Sequence, residues 1–359
     1  MLKLNPFLLV AATIFVSTAL FAQNDDSKRL DGLIQEESDS LGWTIGGGIG
    51  LDLGQILVIN PRAGSGQNRF GIGGAVAVYA NYKNNRVTWN NNISLNLAVE
   101  KTGSGVLPLP SGKASDQHVP FKKSIDELRL KSTYGYSFSE GSKWSYAVNF
   151  AFRSQLLSSY QGIVDGQIYV SEVSIDSSVY QNSLVSKFMA PGRFNLGLGV
   201  LYEPNAKFRF LFTPLTGDLI MVTDQEIANL GVHGTKLEDG STTVYKQSRF
   251  AFGAVLGAEY VEKFFKDRLT FKSVLGLFSD YLDNPQNVDV SWINEITFDI
   301  VGGLQLSFNT SLFYDDDVLS NVTDFNDVGG LERDANGDPV LRPAVNYYHQ
   351  FLLKYVKTF

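Results

Sequence analysis

The residues best suited to catalysis are three histidines, His118, His233 and His349. A histidine beside a serine and a carboxylate could act as the general base of a hydrolase. His118 and His233 lie in long polar segments and His349 lies in a strand-like segment, none in a pattern typical of a barrel lipase, deacylase or protease. No Gly-x-Ser-x-Gly elbow occurs. The sequence therefore predicts that the protein is not an enzyme. A hydrolase site assembled from distant strands stays open as an alternative.

Carboxylates clustered between residues 315 and 338 could bind calcium, which prefers oxygen ligands. Their spacing departs from the helix-loop-helix calcium motif, and Asn336 followed by Gly337 is a strong hairpin-turn dipeptide. We therefore expect a solvated hairpin there, and no metal or cofactor. The chain has no cysteine, which removes disulfides and cysteine zinc sites. The glycine runs at residues 46–50 and 71–74 lack the following helix of a nucleotide-binding loop.

The elements that must position any site are strands. From residue 42 onward, twelve segments alternate between large apolar and small or polar residues. In the clearest of them, Val87, Trp89, Ile93, Leu95, Leu97 and Val99 share one phase. Several segments run about ten residues or more, the length that a tilted strand needs to cross a bilayer. The pattern predicts an all-β protein.

The connections between these segments alternate in length. Short turns lie near residues 83–85, 139–143, 204–206, 262–268 and 302–303. Long polar loops lie near 101–124, 157–192, 214–247 and 315–343, with shorter ones near 55–69 and 282–288. This layout predicts a closed antiparallel up-and-down transmembrane β-barrel of about 12 strands, with short periplasmic turns and long extracellular loops. In a lipocalin-like barrel the same apolar side chains would point inward and overfill the interior.

Aromatic residues flank the short turns on the apolar phase, as in the interfacial girdle of a membrane barrel. The predicted girdle consists of Tyr82, Trp89, Phe138, Trp144, Tyr202, Phe208, Tyr260 and Phe271. If the apolar phase faces lipid, the polar phase lines the lumen. The charged residues expected there are Asp52, Glu100, Arg129, Lys131, Arg153, Glu203, Arg209, Arg249, Glu259, Lys272, Glu295 and Asp299. Six basic and six acidic groups predict ion pairs within the lumen rather than a ring of one sign.

The chain divides into three predicted parts. Residues 1–22 have the charged, apolar and small-residue order of a cleaved signal peptide. Residues 23–41 are charged and have Leu30, Leu33 and Ile34 at helical spacing, so they form either a periplasmic tail or a plug in the lumen. Residues 42–359 form the barrel. The small residues on the polar phase of the first two strands could line a solute path or receive such a plug. With a net charge of −7, no nucleic-acid partner is expected.

The last strand carries Phe351, Leu353, Tyr355 and Phe359 on one phase, which resembles the assembly signal of Gram-negative outer-membrane β-barrels. Lys357 departs from the usual aromatic near this end. With the leader and the Gly-rich first strands, the chain is similar to an uncharacterised family of secreted barrels carried as a domain of unknown function. The resemblance implies an outer-membrane location, and the alternation of short turns and long loops predicts that both termini are periplasmic. The resemblance also implies contact with outer-membrane lipid and the barrel-assembly machinery, but no catalytic or binding residue.

Two functions fit these observations. The first is a non-enzymatic accessory subunit or surface-interaction module that acts through its long outer loops, in a complex with other outer-membrane proteins. The second is a narrow, porin-like passive channel for small solutes.

Overall fold

A computed structural model describes residues 41–56, 68–103, 122–164, 167–171, 183–231, 233–315, 319–324, 330–335, 337 and 340–359. The proposed leader, the proposed tail up to residue 40, His118 and the side chains of Glu100 and His349 lie outside the described part. Twelve strands form the barrel: β1 Gly42–Ile56, β2 Asn68–Lys83, β3 Val87–Gly103, β4 Lys122–Ser137, β5 Trp144–Ser154, β6 Gly192–Asn205, β7 Phe208–Met221, β8 Ser248–Phe264, β9 Leu269–Asp280, β10 Asp289–Val301, β11 Leu304–Tyr314 and β12 Asn346–Thr358.

Every barrel strand pairs with its neighbours in the chain, and β12 pairs with β1 to close the sheet. At the closure Lys354 lies opposite Asp52 and Leu353 lies opposite Leu53. Phe359 then exchanges two backbone hydrogen bonds with Gly47, of 2.9 and 3.0 Å. A closed meander leaves no unpaired edge, which is what a sheet needs in hydrocarbon. The predicted twelve-stranded up-and-down barrel is therefore confirmed.

The alternation of residues sets what each face exposes. On β1, Ile45 is 72% exposed and Leu51 is 59% exposed, whereas Asp52 is 5% exposed. The same contrast recurs around the barrel, where Leu196, Trp292 and Leu353 are exposed and Asn96, Glu295 and Asn309 are buried. Apolar side chains outside and polar ones inside invert the arrangement of a water-surrounded barrel. The exterior is the surface of a protein embedded in lipid.

The two rims of the barrel differ. Residues 84–86, 138–143, 206–207, 265–268 and 302–303 connect strands at the short-turn rim. Longer connections meet at the opposite end, the long-loop rim. The register places Gly42 opposite Lys83, so the chain enters β1 at the short-turn rim, and Phe359 lies near that rim too. The predicted alternation in loop length is therefore present.

The sequence prediction is wrong about where β7 ends. The loop was expected to begin at residue 214, but β7 continues to Met221 after a β-bulge between Thr213 and Thr216. At the bulge the Thr216 hydroxyl donates to the Thr213 carbonyl at 2.8 Å. Gly199 of β6 makes room for it, because a Cβ there would lie 1.9 Å from the Phe212 carbonyl oxygen. A bulge shifts the side-chain phase by one residue, so the strict alternation of the sequence ends there and the pattern resembles that of a loop.

The long loops contain structure of their own. Between β5 and β6, residues Ser159–Val164, Gln167–Ser171 and Ser183–Ser186 form a three-stranded sheet. Between β7 and β8 lies the short helix α1, Gln225–Ala228. Between β11 and β12, Leu319–Asn321 pairs with Leu341–Pro343, and Thr323–Asp324 pairs with Gly330–Leu331. Within the described ranges, no helix is long and apolar enough to cross a membrane.

Candidate functional site

The lumen contains eleven of the twelve charged residues predicted for it. Their strand positions all belong to the inward phase. The twelfth, Glu100, has a strand position opposite Gly71, but its side chain is outside the described part. The structure therefore brings residues that are far apart in the chain onto one inner surface.

One group of these residues meets around Glu259 of β8. The Lys272 ammonium lies 3.7 Å from its carboxylate, and Arg209 and Lys131 also act on it electrostatically. Lys131 belongs to β4, which is separated from β8 by three strands, so this interaction reaches across the lumen. Beside it, Arg209 donates to Glu203 at 2.7 Å. These side chains are a quarter to two-fifths exposed.

A second group is almost completely buried. The Lys354 ammonium donates to Glu295 at 2.7 Å, and the side chains are 3% and 7% exposed. The same carboxylate oxygen accepts from the hydroxyls of Thr297 at 2.7 Å and Ser307 at 2.9 Å. The network joins β10, β11 and β12 beside the strand pair that closes the barrel. A buried ion pair needs such extra donors, because its charges have lost their water.

A third group lies towards the long-loop rim. Glu127 is 2.7 Å from Arg129 and 3.7 Å from Arg153. Arg249 is 4.0 Å from Asp280. Between them lies Arg193, which faces the lumen opposite Arg153. This end of the lumen is therefore rich in arginine, with acidic residues interleaved.

The sequence analysis missed several residues of these groups. Lys354, Glu127, Arg193, Asp218 and Asp280 face inward but were not predicted as lumen residues. Asp218 follows the bulge in β7, where the phase had changed. Glu127 and Arg193 lie one residue before the predicted starts of their strands, at residues 128 and 194. Asp280 and Lys354 lie within the inward phase of predicted strands, so that phase alone would have found them.

At the long-loop rim, two loops pack together into a unit that we call the loop module, formed by residues 183–191 and 222–247. Ala190, Val222, Ile227 and Ala228 form its core and are completely buried. Leu184 and Tyr245 pack against this core. The core joins the end of one loop to the start of the other, so burial of apolar surface holds the two loops in one arrangement.

Polar contacts reinforce the loop module. The Lys187 ammonium donates to Asp224 at 2.7 Å, and Asp224 also caps α1 by accepting from the backbone N–H groups of Glu226 and Ile227. These bonds to the ionised form, the one from Lys187 first, hold the pKa of the Asp224 carboxyl below its ordinary value. Lys236 is further paired with Asp283 in the loop between β9 and β10.

The loop module also reaches the mouth of the lumen. Arg193 donates to the His233 carbonyl at 3.5 Å, and Gly234 packs near the inward-facing side chain of Ile220. His233 is 3% exposed, and its Nε2 lies 3.0 Å from the Val185 carbonyl oxygen. Burial lowers the pKa of His233 below 6.5, and the charge of Arg193 adds to this effect. In this arrangement His233 bonds to backbone and holds the module together.

The predicted girdle residues lie on the exterior near the short-turn rim. Trp144 stacks on Tyr202 at 4.4 Å between ring centroids, and Tyr260 lies 6.3 Å from Phe271. Trp89 lies within a cluster with Trp43 and Tyr134. The other predicted girdle residues have outward positions too: Tyr82, Phe138 and Phe208. The residues of the proposed assembly signal, Phe351, Leu353, Tyr355 and Phe359, are all exposed to the outside.

Among the described residues, no group of three or more His, Asp or Glu side chains is placed to hold a metal ion. Residues 316–318, 325–329, 336 and 338 of the acidic segment considered for calcium lie outside them. Gly337, in its described part, has a φ of +89°, and its N–H donates to the Asp334 carbonyl. That conformation is the one in which a turn favours glycine.

Comparison with solved structures gives outer-membrane barrels of low similarity. The COG4313 outer membrane channel from Pseudomonas putida F1 is 12% identical, with a TM-score of 0.39 over 90% of this chain and 97% of that one. The translocator domain of autotransporter NalP from Neisseria meningitidis is 10% identical, with a TM-score of 0.40 over 92% and 91%. The beta domain of the Bordetella autotransporter BrkA is 8% identical, with a TM-score of 0.31 over 88% and 99%. At these values the likeness carries no argument, and the fold rests on the strand pairing described above.

No curated protein matches the chain. Residues 55–160 match the model of a family described as a protein of unknown function, DUF3078. The matched region runs from the end of β1 to the loop after β5. It confirms the similarity to an uncharacterised family that the sequence indicated.

Proposed function

We propose that this protein is a non-enzymatic outer-membrane barrel that acts through its loop module, as an accessory subunit or a surface-interaction module. The observation that carries the proposal is the completely buried core of Ala190, Val222, Ile227 and Ala228. Closing a barrel requires only that neighbouring strands be joined. A loop pair with its own buried core, helix cap and ion pair has more ordered structure than joining strands requires. Binding surfaces are commonly found on such loops, which a rigid scaffold holds in place.

The outer face of the module offers apolar groups to a partner. Phe188 is 49% exposed, Leu230 is 39% exposed and Leu237 is 40% exposed. Large apolar side chains that remain accessible beside a polar rim suit a protein interface. The bond between Lys236 and Asp283 connects the module to the next loop, which would extend the surface held in one arrangement.

The exterior of the barrel supports an outer-membrane location, with lipid and the barrel-assembly machinery as its partners. In outer-membrane barrels the short turns face the periplasm. Since the chain enters β1 and ends near the short-turn rim, both termini are periplasmic in this proposal. The loop module then lies on the cell surface.

The test is the size of the native complex after gentle detergent extraction, compared between the unchanged chain and two variants. Ile227→Ala opens the loop core, where truncation of a buried isoleucine costs about 2–5 kcal/mol. Glu226→Ala changes the neighbouring residue, whose side chain is exposed. We expect a complex well above the 39.6 kDa monomer that is retained in Glu226→Ala and lost in Ile227→Ala. A bare monomer from the unchanged chain would refute the proposal.

The second candidate, a narrow channel for small solutes, is favoured by uneven exposure inside the lumen. The inward side chains of Arg153, Arg209 and Glu259 are 40%, 35% and 37% exposed. Those of Lys354 and Glu295 on the other side are nearly inaccessible. Water thus reaches the wall formed by β5–β9. A steady conductance of the purified barrel in a planar bilayer would support this function, and its absence would exclude it.

A further inference from the structure

The charges of the lumen are divided between its two halves. On the six neighbouring strands β4–β9, the inward basic residues are Arg129, Lys131, Arg153, Arg193, Arg209, Arg249, Lys263 and Lys272. The inward acidic residues there are Glu127, Glu203, Asp218, Glu259 and Asp280. We call this surface the basic wall. Even with its internal ion pairs, it has an excess of positive charge.

The opposite half has the reverse balance. Asp52 of β1 and Asp289, Glu295 and Asp299 of β10 face inward, against Lys83 of β2 and Lys354 of β12. Among the described inward side chains, the positive excess is therefore confined to one side of the lumen. Because the low-dielectric walls of a cleft focus the field of its charges, such a separation attracts an acidic group to the basic wall more strongly than a surface patch would.

Accessible space in the lumen lies beside the basic wall, where the side chains of Arg153, Arg209 and Glu259 are 40%, 35% and 37% exposed. Small residues line β1 and β2 on the inward phase, including Gly48, Gly50, Ala75 and Ala77. Twelve strands enclose more space than the eight that side chains fill. Yet Ala77 is 0% exposed and Ala75 is 3% exposed. Val356 packs against this pair and accounts for part of the cover.

A buried amide in the lumen lacks its hydrogen bonds. Asn309 of β11 is 0% exposed, and within the described residues neither its side-chain oxygen nor its nitrogen has a hydrogen-bond partner. Buried amides are nearly always bonded. Asn309 lies between the strand positions of Glu295 and Gln350, in the middle of the barrel. The lumen side of β10–β12 is therefore closely packed, and the accessible space lies on the side of the basic wall.

We propose that the acidic N-terminal segment, residues 24–40, docks inside the lumen against the basic wall. This segment has six acidic residues and two basic ones. It joins β1 at the short-turn rim, which is one end of the lumen, so no long connection is needed. As a helix its 17 residues would span about 26 Å, close to the ~25 Å height of the apolar band of such barrels. The lumen is then occupied by the protein's own chain, whichever function the loop module has.

The test uses the absence of cysteine from the chain, since a single introduced thiol is then the only one. Val255→Cys places a thiol on the inward phase of β8, and Ala254→Cys places the matched control on the outward phase. Each is made in the full chain, in a chain lacking residues 24–40, and in a full-length chain with the six acids of the segment replaced by Asn or Gln. Folding is checked by the change in gel mobility on heating. A charged, membrane-impermeant maleimide is the probe.

We expect the Val255→Cys thiol to react roughly tenfold faster in the shortened and neutralised chains, corresponding to about 1.4 kcal/mol of protection by the docked segment. The Ala254→Cys thiol should react at the same rate in all three. Equal rates at residue 255 in the full and shortened chains would overturn the docking. Slow reaction in the neutralised chain would overturn its electrostatic basis. Because the assay uses the purified barrel alone, its result is independent of whether a partner complex exists.

Discussion

The buried pair of Lys354 and Glu295 allows a quantitative test of how the barrel is held closed. Replacing Lys354 with Met leaves the Glu295 carboxylate in place, 7% exposed and bonded only to the hydroxyls of Thr297 and Ser307. Removing one partner of a buried ion pair typically costs about 3–5 kcal/mol, because the remaining charge stays desolvated. We expect a loss of this size in the free energy of unfolding.

Two further variants separate charge from packing. The double variant Lys354→Met with Glu295→Leu removes both charges and leaves Thr297 and Ser307 bonded to each other at 2.6 Å. It should recover most of the loss, since apolar replacement of a whole buried pair is often neutral or stabilising. Lys357→Met is the matched control on the exposed phase of the same strand. It should change the free energy by less than about 0.5 kcal/mol.

The assay is reversible urea unfolding of the barrel in lipid vesicles, followed by tryptophan fluorescence, with the free energy taken from the linear dependence on urea. If Lys354→Met loses no more stability than Lys357→Met, the buried pair is not what stabilises this part of the sheet. A double variant as unstable as the single one would show that lost packing, rather than an unpaired charge, causes the effect.

Three other outcomes follow from the structure. Gly199→Ala should prevent β6 and β7 from pairing at the bulge, because its Cβ would lie 1.9 Å from the Phe212 carbonyl oxygen. Gly257→Ala, whose Cβ would have its nearest contact at 3.9 Å, should assemble normally, and heat-dependent gel mobility distinguishes the two variants. The loop module should lose stability as pH falls below 6.5, because His233 binds a proton more readily in the unfolded state than in the folded state, where burial lowers its pKa. Limited proteolysis should then show faster cleavage of residues 222–247, and His233→Gln should lessen this dependence on pH. Lys187→Met should raise the pKa of Asp224 towards its ordinary value. It should also increase loop cleavage near neutral pH by a small factor, as expected for an exposed ion pair, and an unchanged cleavage rate would show that the pair does not stabilise the module.

Part of the architecture could be predicted because it follows from local alternation. The inward and outward phases of β1 and β3 are set by residues two apart, so one chain is enough to assign them. Approximate loop lengths could also be predicted from local alternation, because the loops are the gaps between alternating segments. The bulge at Thr213 and Thr216 could not be predicted in this way, because the extra residue depends on the space that Gly199 leaves on another strand.

Alternation in the sequence determined the class of fold, the apolar exterior and the lumen position of residues such as Asp52 and Glu259. Only the tertiary structure decided which of those charges meet, because partners such as Lys354 and Glu295 are 59 residues apart and come together only through strand register. It also decided that the loops on either side of β6 and β7 share the core of Ala190 and Ile227. Loops lack a repeating direction for their side chains, so their contacts depend on where the barrel fixes their ends.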